Sequence, residues 1–266
     1  MRKKQDKVLV LANTQIKGQY YKMAVDSKFI SQRVLPGQFV MVKISEGGDI
    51  LLRRPLSVHR VDEDKFELFY EVAGKGTEIL SRRKAGDYID VIGPLGNGFT
   101  CPRVSKRFVS QVLVAGGIGV APLVLLAQRL STNPGISSAG KITVLIGARV
   151  KQQVLCEKEF KKIGCEVKIA TDDGSQGFCG RVTALLEKLL RTTNYQLYTI
   201  YACGPKPMLT EISRISCQYN ISAQVSLEAH MACGIGACLG CVVNTKTGYK
   251  RVCQDGPVFR ADEILW

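Results

Sequence analysis

Cys233, Cys238 and Cys241, spaced x4 and x2, are followed eleven intervening residues later by Cys253. Thiols crowded in this way point to a metal, because a thiolate is a strong ligand and clustered cysteines in a reducing compartment are metal-binding before they are disulfides. The x4, x2 spacing with a separate fourth cysteine matches ligation of a 2Fe-2S cluster. Zinc also accepts four thiolates, usually from two short Cys-x2-4-Cys knuckles, and a zinc-stabilised nucleotide-binding module without enzymatic activity is the alternative. Gly234, Gly236 and Gly240 lie among the ligands. Glycine there permits the positive φ values with which a loop turns its amides toward sulfur. The other cysteines (101, 156, 165, 179, 203 and 217) are scattered, and read as small buried hydrophobes or incidental thiols. Cys203 differs, because it ends an expected parallel strand directly before Gly204-Pro205, at the edge where such sheets bind ligands.

Two further segments have residue types suited to nucleotides. Gly116-Gly117-Ile118-Gly119-Val120-Ala121-Pro122 joins an apolar strand to a helix. Glycines let the backbone approach a pyrophosphate, and the helix N-terminus favours its charge. Pro122 replaces the third glycine of the usual fingerprint, and a tight turn without ligand is the plain alternative. Asp172, at the end of a later strand, adds a polar group at the same sheet edge. In the first half, Arg54-Pro55-Leu56-Ser57 offers a cation for a phosphate and a hydroxyl for a flavin-ring acceptor. Tyr70-Glu71-Val72 follows, and Gly76 and Thr77 could give an amide-rich contact at a helix start. By residue chemistry alone, an ordinary strand and turn would account for this second group.

The elements that must position these residues fall into two rhythms. Up to about residue 100, short β-rich runs at 7–12, 20–25, 39–44, 56–60, 65–72 and 88–92 alternate with turns, which suggests an antiparallel barrel or sandwich. From about 110, strands (112–115, 142–146, 166–170, 197–202, 223–226) alternate with helices (122–130, 154–162, 183–190, 207–218), which argues for a parallel sheet covered by helices. The tail after Leu227 is rich in Gly and Cys. The expected division is 1–103, a β-barrel; 104–226, a Rossmann-like α/β domain; and 227–266, a cluster-binding subdomain.

Composition narrows the classes. Hydrophobic residues at 45% and charged residues at 23% exclude wholesale disorder. The net charge of +14 is spread along the chain, so it reads as a solvated surface and no nucleic-acid partner is expected. Residues 108–128 carry no formal charge and are long enough to span a bilayer, but Gly116, Gly117, Gly119 and Pro122 interrupt them. A buried strand, turn and helix is the better reading, and no membrane association is expected. No export signal is recognised and the cysteines are unsuited to a disulfide scaffold, so a cytoplasmic location is expected.

Together the motifs resemble the ferredoxin-reductase-like flavoproteins over nearly the whole chain. In that family Arg-x-x-Ser after a barrel strand binds FAD, which Arg54 to Ser57 matches; Gly-Gly-x-Gly-x-x-Pro binds the nicotinamide nucleotide, which Gly116 to Pro122 matches. Its Cys-Gly-Pro-x-x-Met element lies near the nicotinamide, which Cys203, Gly204, Pro205 and Met208 match. Cys203 is then the candidate catalytic residue, shaping the nicotinamide pocket rather than attacking as a nucleophile. The run Glu228 to Cys241, the closing Lys250 to Phe259, and Pro36-Gly37-Gln38-Phe39 and Gly93 to Phe99 are similar to electron-transfer subunits of type B dihydroorotate dehydrogenases. The resemblance implies FAD, a 2Fe-2S cluster on Cys233, Cys238, Cys241 and Cys253, and NAD. It further implies an FMN-containing catalytic subunit as partner in a two-plus-two heterotetramer, with electrons passing from FMN through the cluster and FAD to NAD⁺ in pyrimidine biosynthesis. A flavin and iron-sulfur subunit of an NAD(P)H:ferredoxin or sulfide-type oxidoreductase is the nearest alternative. Glu71 stands where related chains commonly carry a basic residue, and Arg149 follows the second parallel strand, which bears on NAD against NADP.

Overall fold

Alternating side chains and frequent turns drive the first hundred residues into strands, and their apolar faces have to meet. In the computed structural model, which describes residues 3–45, 50–101, 110–133, 141–192 and 197–266, they meet by closing into a barrel. Its strands are β1 (Lys4–Lys17), β2 (Tyr20–Asp26), β3 (Phe39–Val42), β4 (Arg54–Asp62), β5 (Lys65–Glu71) and β6 (Tyr88–Leu95). They run antiparallel in the order β1-β2-β5-β4-β3-β6, and β6 pairs back onto β1. Closure, rather than a sandwich, leaves no strand edge unpaired. β1 is longer than its alternation suggests because it serves two partners. Its residues 4–9 pair with β6 and, from Val10 on, with β2, with a register shift between Val10 and Ala12. Val10, Met23, Val25, Val42, Val58, Phe66, Leu68 and Val91 fill the interior and are fully buried. Helix α1 (Lys28–Ser31) is capped by the Ser27 side chain, and α2 (Lys75–Ser81) precedes β6.

The chain divides into two compact units, and the barrel belongs to the first, Met1–Gly98 with Ala229–Val243 and Tyr249–Pro257. The tail therefore contributes to the unit built by the N-terminal strands. The second unit comprises Phe99–Glu228, Asn244–Gly248 and Val258–Trp266.

The second unit is a seven-stranded sheet. Its strands are β7 (Ser110–Gly116), β8 (Ile142–Ala148), β9 (Glu166–Thr171), β10 (Phe178–Cys179), β11 (Leu197–Cys203), β12 (Ser222–Ser226) and β15 (Val258–Arg260), in the order β10-β9-β8-β7-β11-β12-β15. All neighbours are parallel except β12 and β15. Helices α3 (Val120–Ser131), α4 (Glu157–Ile163), α5 (Val182–Thr192) and α6 (Lys206–Gln218) connect the strands. Val112, Val114, Ile200 and Ala202 pack with Leu185, Leu186, Leu209 and Ile212 of α5 and α6 on one face. Leu113 and Tyr201, one residue out of phase, are equally buried and point to the other face. Phe108 lies outside the described residues; Ser110–Gly116 and Val120–Ser131 form the strand and helix expected of that uncharged stretch. Among the described residues, no helix is long and apolar enough to cross a membrane. The strands β10 and β15 and the hairpin β13 (Val242–Thr245) and β14 (Gly248–Arg251) had no signal in the alternation, being two to four residues long.

A polar clamp ties the barrel together between the start of β4 and β6. The Arg53 guanidinium meets the Asp90 carboxylate at 2.7 Å and donates to the Asp90 carbonyl at 3.0 Å, while Gln5 of β1 donates to the same carboxylate at 2.9 Å. Burial alone would raise the Asp90 pKa, but the Arg53 and Gln5 hydrogen bonds and the Arg53 charge outweigh it and hold the carboxyl below its ordinary value. A carboxyl depressed in the folded state stabilises above the unfolded pKa, near 3.9, and that stability is lost as pH falls through the folded value. Asp90→Asn should therefore cost on the order of 1 kcal/mol at pH 7. The gap from wild type should narrow in urea titrations below about pH 4; a gap that stays constant to pH 2 would remove the clamp from the account.

Candidate functional site

The four tail cysteines come together in two pairs within the first unit. The amides of Ile235 and Cys238 point at the Cys233 sulfur, each at 3.4 Å. Burial pushes the Cys233 thiol up, but these amides, the Cys238 thiol and the Ala237 amide outweigh it and bring it to about 6. Cys241 receives the Cys253 amide at 3.4 Å. Burial, followed by the hydrogen bond and charge of neighbouring Cys241, pushes the Cys253 thiol to about 12, against a hydrogen bond from the Gly236 amide. So Cys233 pairs with Cys238, and Cys241 with Cys253. The first pair lies toward solvent, with Cys238 exposed, and the second is 3% and 2% exposed. Two pairs of thiols, each met by amides, suit a centre of two irons better than one tetrahedral ion equidistant from four sulfurs. The donor set fits the cluster.

The loop takes this form through left-handed residues at Gly234 (φ +70°), Gly236 (φ +88°) and Leu239 (φ +58°). A side chain at Gly234 would overlap Met41 of β3, and one at Gly236 would overlap the Gln254 side chain. Gly240, expected to share this role, does not have a positive φ; the left-handed turn falls one residue earlier, on Leu239. The far arm is braced by Asn97, whose side chain donates to the carbonyls of Gln254 (3.3 Å) and Asp255 (3.0 Å), while its amide donates to Gly256.

In the barrel, Arg54, Pro55, Leu56 and Ser57 are consecutive half-buried residues at the start of β4. The Arg54 side chain lies over buried Gly76, where a Cβ would stand 2.9 Å from Nε. Arg54 also donates to the Leu52 carbonyl at 2.8 Å, which fixes the direction of its guanidinium. Thr77 accepts from the Ala73 amide at 3.0 Å and organises the first turn of α2. A guanidinium over glycine in a first helical turn is a cradle for a phosphate, so these residues fit FAD. Tyr70 is not part of this pair. It is 2% exposed, stacks on Tyr21, and donates to Asn13 at 3.0 Å, while burial drives its pKa up. Glu71 accepts from Gln19, and the Val72 amide donates to the Gln19 carbonyl at 2.8 Å.

In the second unit, β7 and β11 are neighbours with Ala115 opposite Cys203, so the two glycine motifs end side by side. A Cβ at Gly119 would overlap the Cys203 carbonyl oxygen, and one at Gly116 would stand 2.7 Å from Met208 Sδ and 2.9 Å from Pro205 Cδ. Gly204 likewise abuts Met208 and the Gly116 amide nitrogen at 3.0 Å. Gly117 is different: its φ is +55° and no atom lies within 4 Å of a would-be Cβ, so its backbone is open to a ligand. Gly119 caps α3 and Pro122 occupies its first turn, where no amide hydrogen is needed. This arrangement fits the pyrophosphate and nicotinamide of NAD. Asp172 is exposed at the same edge, but β8 stands between its strand and β7, so it is not in the glycine cluster. Arg149 lies beside it, its carbonyl accepting from the Asp173 amide at 3.2 Å. Burial pushes the Cys203 thiol up to about 12, reinforced by the Glu228 carboxylate, against a hydrogen bond with Ser226 of the adjacent strand. The thiol is therefore protonated at neutral pH. Neither Ser226 nor Glu228 stood out in the sequence as a partner of Cys203; Ser226 ends β12, which pairs with β11, and Glu228 lies two residues beyond.

Comparison with known proteins agrees with this geometry. Residues 228–265 match the iron-sulfur cluster binding domain of dihydroorotate dehydrogenase B, and residues 113–214 match the oxidoreductase NAD-binding domain. The chain is 41% identical over 263 residues to the dihydroorotate dehydrogenase B (NAD⁺) electron transfer subunit of Desulforamulus reducens, covering 97% of each chain. It is 40% identical to the subunit of the same name from Bacillus caldolyticus, covering 98% of each. A solved NADH-dependent reduced ferredoxin-NADP oxidoreductase superposes with a TM-score of 0.85 at 32% identity, over 98% of this chain and 90% of that one. A ferredoxin-NADP⁺ reductase from Neisseria gonorrhoeae, with bound FAD and NADP, shares the fold at 18% identity and a TM-score of 0.64. With near-complete coverage at this identity, the chain belongs to the family of dihydroorotate dehydrogenase B electron-transfer subunits.

Proposed function

We propose that this chain is the NAD-linked oxidoreductase subunit that carries electrons from dihydroorotate, oxidised on an FMN-containing partner, through a 2Fe-2S cluster and FAD to NAD⁺ in pyrimidine biosynthesis. The observation that carries this reading is the paired arrangement of Cys233 with Cys238 and Cys241 with Cys253, in a chain that also holds the Arg54–Gly76 cradle and the Gly116–Gly119 turn. When bound, FAD supplies the exchange between a one-electron cluster and the two-electron nicotinamide. The segment 1–103 would serve FAD, 104–226 NAD, and 227–266 the cluster.

Each residue group has a task that follows from its position. Arg54 and the amides of Gly76 and Thr77 hold the FAD phosphates, and Ser57, three residues along the same strand, offers a hydroxyl to the ring. Pro55, Leu56, Glu71 and Val72 form the wall beside them, with Tyr70 enclosed behind it by Asn13 and Tyr21. Gly116, Gly117 and Gly119 bring the backbone against the NAD pyrophosphate, with Pro122 in the helix behind. Asp172 adds a polar group along that edge, and Gly204, Pro205 and Met208 complete the floor. Cys203 holds its proton, so it shapes the nicotinamide pocket without forming a covalent bond. Dihydroorotate chemistry belongs to the partner, and we place the pair in a two-plus-two heterotetramer in the cytoplasm, where cysteines remain free to ligate metal. Ile235 and Leu239, 40% and 60% exposed beside the outer cysteine pair, give that partner an apolar surface to cover.

A second reading is favoured by the 0.85 superposition on the ferredoxin-NADP oxidoreductase. Dihydroorotate-dependent reduction of NAD⁺ by this chain, co-purified with a candidate FMN subunit of the same genome, separates the two. Turnover that vanishes when this chain is omitted supports the first; a fully loaded pair without turnover moves the assignment to ferredoxin-linked reduction. Cys238→Ser should abolish the cluster's visible and EPR signals with FAD retained, whereas an intact cluster would refute its ligand role and a colourless zinc protein would favour the zinc module. Cys203→Ser should slow flavin reduction by NADH while nucleotide affinity stays within about threefold, a shift of roughly 0.7 kcal/mol. Unchanged reduction kinetics would dismiss its part in the pocket.

A further inference from the structure

The two arms of the cysteine cage are joined through the β13–β14 hairpin and the Val252 amide, which donates to the Cys241 carbonyl at 2.9 Å. One arm carries Cys233 and Cys238 on a loop of left-handed residues, and the other carries Cys253 on the turn after β14. The Arg251 side chain hydrogen-bonds to both. Arg251 donates from Nη1 to the Gly236 carbonyl at 3.1 Å, on the first arm, and from Nε to the Asp255 carboxylate at 3.1 Å, on the second. The Arg251 amide donates to that same carboxylate at 2.8 Å, so the turn 251–255 is closed on itself around Cys253. Gly236 completes the circuit, because its carbonyl takes the guanidinium while its own amide points at the Cys253 sulfur. The guanidinium also lies within electrostatic reach of the Cys253 and Cys241 sulfurs. Planar, permanently charged and forked, arginine suits a task that joins a carbonyl to a carboxylate in fixed geometry, and lysine does not.

We infer that Arg251 is a positioning residue for the cluster, tying the Gly236 loop to the Cys253 turn and setting a positive charge beside the two buried ligand sulfurs. This rests on the assignment of the four cysteines as 2Fe-2S ligands. Two consequences are separable. As a clamp, Arg251 slows the opening through which iron is lost, and removing such an outer partner weakens a metal site by roughly 10–100-fold. As a charge, it favours the reduced cluster, which is one unit more negative than the oxidised form, and so raises the midpoint potential.

The test uses the full-length chain with its cluster, comparing wild type, Arg251→Gln and Arg251→Lys by EPR-monitored redox titration and by the rate of cluster bleaching in excess chelator. Arg251→Gln should have a more negative midpoint than wild type, and Arg251→Lys, with its charge retained, should stay near the wild-type value. Both should bleach roughly ten times faster, because neither has the fork. A wild-type midpoint in Arg251→Gln overturns the charge role, and wild-type bleaching in both variants overturns the clamp. Should Arg251→Gln fail to retain a cluster, Asp255→Asn gives the opposite sign: faster bleaching from a slack clamp, with a midpoint shifted upward by the loss of a negative charge. No change in either quantity then overturns the inference. A wild-type chain without an EPR-active cluster would instead sink the ligand assignment, an outcome distinct from a cluster that is present and indifferent to Arg251.

Discussion

Sulfur ligands that must share a small, partly buried volume resist ionisation, and backbone amides in the tail are turned to offset that cost. Burial and neighbouring Cys241 drive the Cys253 thiol up, while the amides of Ile235, Cys238 and Ala237 draw the Cys233 thiol down. Amides can converge on sulfur only if the chain reverses its usual hand, hence the positive φ at Gly234, Gly236 and Leu239. The reversal then dictates the neighbourhood. Gly234 lies flush on Met41, so barrel strand β3 forms the wall of the cage, and the Gly236 amide and carbonyl are committed in opposite directions.

The sheet unit solves a different problem with the same residue type. Cys203 faces burial and the Glu228 carboxylate with one hydrogen bond from Ser226, so its thiol is pushed up where the Cys233 thiol is drawn down. Here the close approach is backbone on backbone: the Gly119 position and the Cys203 carbonyl leave no room for a methyl group between α3 and the end of β11. Two neighbouring strands are thereby held with their glycine turns in contact, while Gly117 is left open on the outside. Rigidity below and access above follow from glycines only two residues apart.

Much of this was legible in the chain because the signals are local. Cysteine spacing, the glycine run before Pro122 and the alternation of strands with helices are all set within a few residues of one another. Arg54 and Gly76 were both recognisable as phosphate-binding types, although their contact is made by the barrel. Other features depend on partners far away in sequence. Tyr70 reads in the sequence as a cofactor-site residue, but Asn13 and Tyr21 enclose it. Leu239, not Gly240, adopts the left-handed turn because the geometry of the ligands, not the residue's own preference, decides it. Strand β15 is three residues long and exists because Val258 and Phe259 pair with β12, and the Arg251 span needs Gly236 and Asp255 together.

Asn97 has a bearing on the order in which the molecule is made. Its side chain holds the carbonyl of Gln254, 157 residues further along the chain. At ribosomal rates of about 5–20 residues per second, the barrel loop is synthesised roughly 10–30 s before the turn it braces. During that interval all six barrel strands are available to pair, yet the cage has only its receiving wall. The cage is thus complete only once residue 253 has followed, long after the barrel strand that walls it.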